Sequence, residues 1–204
     1  MAVTCPVSLD TGVLRAEISR IYARVAAEPD GDYHFHRGPA YAAELLGYDP
    51  AELAAMPAQG TASFAGVGNP HCITPVLSGE TVLDIGCGGG MDLLLAARHV
   101  GPAGRAIGID MTAAMRELAS RSARDLGLNN VEVHQADATA IPLESGSVDV
   151  VISHGVLNLV PEKVTGYQEI FGVLRPGGRL QLADILLDVA LDEDARCNID
   201  LWTV

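Results

Sequence analysis

Lysine is almost absent from this sequence: Lys163 is the only one in 204 residues, and arginine supplies the other basic groups. Lysine and arginine together number 13 against 26 acidic residues, a formal net charge of −13. A surface with that balance repels phosphate backbones and anionic membranes, so neither nucleic acid nor a membrane surface is an expected partner. Long apolar runs are also missing; none approaches the roughly 18 residues a membrane span needs. The start, Met1 to Leu14, lacks a basic stretch ahead of an apolar one, so no signal peptide is expected. Cysteine is sparse: Cys5, Cys72, Cys87 and Cys197 form no C-x-x-C pair and fit no zinc spacing. They are too few for a disulfide scaffold, so the expectation is reduced thiols in a cytoplasmic protein without a metal centre.

Apolar material is plentiful. Hydrophobic residues make up 49% and charged residues 19%, which suits a packed core and not a disordered chain. The length suits one domain, or one with an appendage, at roughly 150 residues per domain.

The first third differs from the rest. Residues 10–28 carry Val13, Leu14, Ile18, Ile21, Tyr22 and Val25 at helical spacing. A polar turn, Glu28 to Asp32, and the stretch Tyr33-His34-Phe35-His36-Arg37-Gly38 follow. Short helices are expected over Ala40–Leu46 and Pro50–Ala55, and a loop over 57–71. Residues 1–75 are expected to form a lid and substrate-access segment ahead of a domain spanning 76–204.

From Thr81 the pattern becomes regular. Apolar runs at Thr81–Ile85, Arg105–Ile109, Val131–Gln135, Ser147–Ser153 and Arg179–Leu186 read as strands. Helical patterns cover Asp92–Val100, Thr112–Leu126 and Glu162–Leu174, the last stopping at the breaker Arg175-Pro176-Gly177-Gly178. The acidic stretch from Asp188 to Asp200 is expected to be helical. Strands alternating with helices predict an α/β, doubly wound, mostly parallel sheet with flanking helices. Ligands of such sheets bind at the carboxyl ends of the strands.

The loop after the first strand is Asp84-Ile85-Gly86-Cys87-Gly88-Gly89-Gly90. Its glycines permit a tight turn and close approach of backbone N–H groups to a ligand. The dinucleotide fingerprint fails, because Met91 stands where its last small residue belongs, and no Lys-Ser or Lys-Thr follows to make a P-loop. Asp84, two positions before Gly86, puts a carboxylate at the strand tip, which suits a positive group better than a pyrophosphate. Asp110 ends the second strand, where an acidic residue can accept both ribose hydroxyls. Met111 can cover an adenine, and Asp137, followed by Ala138 after the third strand, can accept an adenine amino proton. Together these contacts describe a nucleoside with a cationic tail.

At these residues the sequence resembles the class I S-adenosylmethionine-dependent methyltransferases, with their Rossmann-like sheet. The resemblance rests on VLDIGCGGG at 82–90, GIDMT at 108–112, Asp137-Ala138, SVDVVIS at 147–153 and LRPGGRL at 174–180. It implies S-adenosyl-L-methionine as cofactor, held by Asp84, Gly86, Cys87, Gly88, Gly90, Asp110, Met111, Asp137, Ala138 and Ser153. It also implies a small-molecule methyl acceptor. HFHRG at 34–38, LLGY at 45–48, SFAGVGNP at 63–70, SHGVLNL at 153–159 and IDLW at 199–202 are similar to the bacterial arsenite methyltransferase group. That group holds trivalent arsenic, a soft ion, with thiolates. The matching positions here hold Val67 and Gly155, and the third would follow Thr203; Cys72 and Cys197 lie nearby in sequence.

The family continues through another helix and two strands. An apolar edge at Leu180–Leu187 is therefore expected, which a homodimer is one way to cover. Cys87 is either a nucleophile or a small residue packed under the ligand. His34 and His36 are either metal ligands or polar loop groups. His154, just past strand four, is the candidate general base. His71, Cys72 and Asn158 are candidate substrate contacts, and Asn158 can equally cap a helix. Three functions remain open: methyl transfer to arsenic or another soft acceptor, methyl transfer to carbon or oxygen of a metabolite as in the ubiquinone and menaquinone methyltransferases, and cofactor binding without catalysis.

Overall fold

The computed structural model describes residues 9–188 and 191–202. Its frame is a five-stranded sheet, every pair parallel, in the order β3-β2-β1-β4-β5. The strands are β1 (Thr81–Ile85), β2 (Arg105–Asp110), β3 (Val131–Gln135), β4 (Val148–His154) and β5 (Leu174–Ala183). The chain order reverses between β1 and β4, so the crevice expected at a switch point opens at their carboxyl ends.

Before the sheet lie α1 (Thr11–Ala27), α2 (Gly38–Leu46), α3 (Pro50–Ala54) and α4 (Ala58–Ala62). Helices α5 (Met91–Val100), α6 (Ala113–Asp125) and α7 (Lys163–Val173) follow β1, β2 and β4, and α8 (Glu193–Cys197) and α9 (Ile199–Trp202) follow β5.

Both faces of the sheet are buried, which is why its central strands are continuous apolar runs. Leu83, Ile85, Ile107, Ile109 and Val151 face one way, against Leu157, Ile170 and Val173. Val82, Ala106, Val150 and Ile152 face the other way, against Leu93, Ala96, Ala97 and Val100 of α5. Deleting one of these side chains, as in Leu83→Ala, costs about 2–5 kcal/mol by cavity formation.

Local signals explain the element ends. Asp10 caps α1 by accepting from the Gly12 and Val13 amides, and Asp49 caps α3 by accepting from Ala51 N–H. A side-chain cluster of Leu9, Leu14, Ile18, Tyr22, Met111, Leu159, Ile199 and Trp202 lays α1 across the carboxyl end of the sheet.

Several expectations need correction. The stretch 57–71 is not only loop: it contains α4, and a 3-10 turn begins at Pro70. The Pro-Gly-Gly cluster does not separate helix from strand, because β5 starts at Leu174 and runs through it to Ala183, short of Leu186. Pro176 has no amide to give a ladder. The strands absorb it by slipping register: Val148 pairs with Leu174 and Val150 with Arg179. The last acidic stretch is not one helix, since Asn198 interrupts it between α8 and α9; residues 189 and 190 lie outside the described residues.

The edge at β5 is only partly bare. Gln181 is buried and donates from Nε2 to the Pro70 carbonyl at 2.7 Å, while Arg179 pairs with Glu80 at 2.6 Å. Apolar exposure lies beyond it, at Leu186 (82% exposed) and on α7 at Phe171 (81%). Among the described residues, no helix is long and apolar enough to cross a membrane.

Candidate functional site

A cleft opens at the carboxyl ends of β1, β2 and β4. Its floor is the glycine loop, with Asp84, Gly86, Cys87, Gly88, Asp110, Met111, Asp137, Ala138 and His154 among its lining residues. Its roof includes Arg15, Ile18 and Tyr22 of α1 and Phe64, Ala65 and Gly66 of the segment after α4.

The glycine loop is held by backbone bonds across the strand tips. Gly86 and Cys87 N–H groups donate to the Ile109 carbonyl at 2.8 and 3.0 Å. Gly86 has φ +68, and a Cβ there would stand 2.4 Å from Val156 Cγ2, so no side chain fits. Gly88 N–H donates to Asp110 Oδ2 at 2.9 Å, and Thr112 N–H donates to Asp110 Oδ1 at 2.7 Å. These bonds fix the Asp110 carboxylate at the lip of the cleft. Burial nevertheless outweighs them and raises its pKa.

Asp84 is 2% exposed, and its Oδ2 has no hydrogen-bond partner. Burial, with the Asp92 carboxylate beside it, pushes this carboxyl well above the ordinary range; His154 pulls the other way. Cys87 is buried next, and burial together with Asp84 keeps it a thiol.

Asp137 is already engaged. Arg15 Nε donates to its Oδ2 at 2.7 Å, while Thr139 N–H and Oγ1 donate to its Oδ1 at 2.8 and 2.7 Å. Arg15 also reaches Glu162 at 2.8 Å, so one guanidinium straps α1 to the start of α7 over the cleft. Burial raises the Asp137 pKa, but these hydrogen bonds prevail and lower it. Tyr22 sits on the same roof, and burial beside Asp110 pushes its hydroxyl up to about 12.

The residue most engaged at the site is one the sequence reading passed over. Asp92, in the first turn of α5, carries no motif in the sequence; it is 3% exposed. Tyr48 donates from its hydroxyl to Asp92 Oδ1 at 2.7 Å, and His71 Nε2 lies 3.1 Å from the same oxygen. His154 Nε2 lies 2.6 Å from Oδ2. Burial raises the Asp92 pKa, yet His154 and His71 together bring it down, and Asp92 stays ionised. Burial alone would lower the His154 pKa; Asp92 overrides it and raises it. His154 is thus held toward its imidazolium form; a base role requires the neutral ring, with the unpartnered Nδ1 as the accepting atom.

The remaining candidates divide. His71 is tied to Asp92, outside the cleft wall, and Cys72 is exposed in the same turn and lines no part of the cleft. Ser153 Oγ and Asn158 Oδ1 are buried without partners, also off the wall, and Gly90 starts α5 just behind it. Val67 and Gly155 are neighbours: a Cβ on Gly155 would stand 3.5 Å from Val67 Cγ1. His36 stacks on Tyr41 at 5.2 Å, and among the described residues no His, Cys, Asp or Glu cluster fits a metal ion. Cys197 lies in α8, and Cys5 lies outside the described residues.

Comparison with known proteins agrees with this geometry. Residues 77–202 match a family profile described as a methyltransferase domain. An arsenite methyltransferase of Halobacterium salinarum is 39% identical over 160 residues, 78% of this chain and 41% of that protein. A demethylmenaquinone methyltransferase of Lactococcus lactis is 41% identical over 105 residues, 51% of this chain and 41% of that protein. The crystal structure of an arsenic(III) S-adenosylmethionine methyltransferase from Chlamydomonas reinhardtii superposes with a TM-score of 0.67 at 37% identity, over 74% of this chain and 53% of that one. The chain thus spans about 41% of the length of these two curated relatives.

Proposed function

Because this chain belongs to the S-adenosylmethionine-dependent methyltransferases, we propose that it methylates a small molecule received between residues 63–68 and the end of β4. What carries the reading is the convergence of Asp84, the glycine loop, Asp110 and Asp137 at the ends of adjacent parallel strands. The cofactor, when bound, supplies an electrophilic methyl group on a sulfonium. The residues present fit it: the orphaned Asp84 Oδ2 would answer a cationic group, and Asp110 at the tip of β2 would hold the ribose hydroxyls. Met111, Ala138 and Asp137 would hold the adenine, and Ile18 and Tyr22 of the roof would shield it from water. Holding both reactants in line supplies much of the rate of such a transfer.

The acceptor is a small molecule of the kind arsenite methyltransferases take, and the similarity along residues 34–70 and 100–112 supports this. A second reading, a carbon or oxygen acceptor of the menaquinone type, is favoured by one observation. The adjoining positions Val67 and Gly155 carry no thiol where the first reading wants thiols. Titration with S-adenosylmethionine by calorimetry, repeated with arsenite and followed by a labelled-methyl assay on arsenite and a demethylated quinone, separates them. Arsenite methylation selects the first reading and quinone methylation the second. Binding with no transfer to any acceptor makes the chain a cofactor-binding module.

A further inference from the structure

Three carboxyl groups crowd the glycine loop, from β1 (Asp84), α5 (Asp92) and β2 (Asp110), with one imidazole from β4 (His154) among them. That imidazole is spent on Asp92, 2.6 Å away. Both Asp110 oxygens accept backbone N–H groups. Asp84 is left with a backbone bond from Leu93 and a bare Oδ2 on the cleft wall. Tyr48 and Cys87, the other titratable neighbours, are neutral and bring no positive charge.

A fully buried carboxylate with no countercharge is costly, by several kcal/mol, and a nearby like charge adds to the cost. The carboxyl escapes it by holding a proton until a cation arrives. We propose that the cofactor's positive charge enters by exchange: S-adenosylmethionine binding removes one proton from Asp84, which leaves to the solvent buffer as the carboxylate meets the cation. The charge of the cleft is thereby conserved on loading. The inference rests on the cofactor reading above.

The test is calorimetric titration at about pH 6, where the cofactor's own α-amino group, with a pKa near 8, stays charged and contributes no proton. Two buffers of small and large ionisation heat are used. The expected result is a binding heat that differs between buffers by the equivalent of up to one proton released, with affinity rising up to ~tenfold per pH unit on the acid side. Asp84→Asn is expected to bind with a heat that no longer depends on buffer. S-adenosylhomocysteine shares the ammonium but not the sulfonium. Release with both ligands assigns the ammonium to Asp84, and release with S-adenosylmethionine alone assigns the sulfonium.

Equal heats in the two buffers, with binding intact, overturn the proposal. So does buffer dependence surviving in Asp84→Asn, which moves the proton to Asp110 or His154. If that variant fails to bind, infrared difference spectra of the native protein decide: loss of a protonated-carboxyl band on cofactor addition supports the exchange, and no loss overturns it. Absence of binding by the native chain overturns instead the function on which the inference stands.

Discussion

His154 Nε2 lies 2.6 Å from Asp92 Oδ2, joining the end of β4 to the first turn of α5 across 62 positions of sequence. Tyr48 donates to its other oxygen and His71 Nε2 lies 3.1 Å from that oxygen, so the segment before the sheet, the tip of β4 and the first turn of α5 meet on one buried charge.

Removing that charge leaves His154 buried without its counterion. Asp92→Asn is expected to cost about 3–5 kcal/mol in urea unfolding. The His154 pKa is raised, so its share of stability is complete below about 6.5 and fades as pH rises through the folded value. The Asp92 pKa is lowered, so its own share holds above about 3.9 and is lost only in strong acid. The deficit of Asp92→Asn is therefore largest near pH 6 and shrinks in mildly alkaline buffer. A pH-independent deficit argues against the ion pair.

Gly66 packs against the same imidazole. A Cβ there would stand 1.9 Å from His154 Cε1 and 2.7 Å from Phe64 Cζ. Gly66→Ala is expected to cost about 1–3 kcal/mol by overpacking. Gly172→Ala, in α7 with nothing within 4 Å, is expected to gain about 0.5–1 kcal/mol. Thermal unfolding of the two variants should move in opposite directions.

Arg15 holds α1 over the cleft by two partly exposed ion pairs. Arg15→Ala is expected to cost only about 1 kcal/mol, less at high salt, because exposed pairs are screened. Its clearer effect is local: limited proteolysis should cut α1 faster while residues 81–183 stay protected. Equal cleavage rates would show that apolar packing alone holds the helix.

Asp110→Ala removes the acceptor of the Gly88 and Thr112 amides and the proposed ribose contact. Cofactor affinity by calorimetry is expected to fall about tenfold to a hundredfold, equivalent to ~1.5–3 kcal/mol for hydrogen bonds to a charged group. Unchanged affinity would remove Asp110 from the site.

Much of the site could be read from sequence because it sits at fixed offsets from strand ends. Asp84 two residues before Gly86, and Asp110 at the end of its apolar run, are local patterns, and a parallel strand ending in glycine delivers both to the same rim. The Asp92 cluster had no such signal. His71 and His154 stand out in the sequence as candidates for separate roles, but Tyr48, His71, Asp92 and His154 lie apart along the chain and no local pattern joins them. The slip at Pro176 was hidden for a related reason: proline and glycine mark a break locally, but whether a strand ends or bulges depends on the partner beside it.

The sequence by itself determined the alternation of strands and helices, the glycine turn and the carboxylates at the strand tips, because periodicity and turn chemistry act over a few residues. Only the tertiary structure decided which charges are answered and which are left alone. Asp92 acquires its countercharge, Arg15 closes on Asp137 and Asp84 is left bare through burial and long-range contacts, and these exist only once the segment before Thr81 has packed onto the sheet.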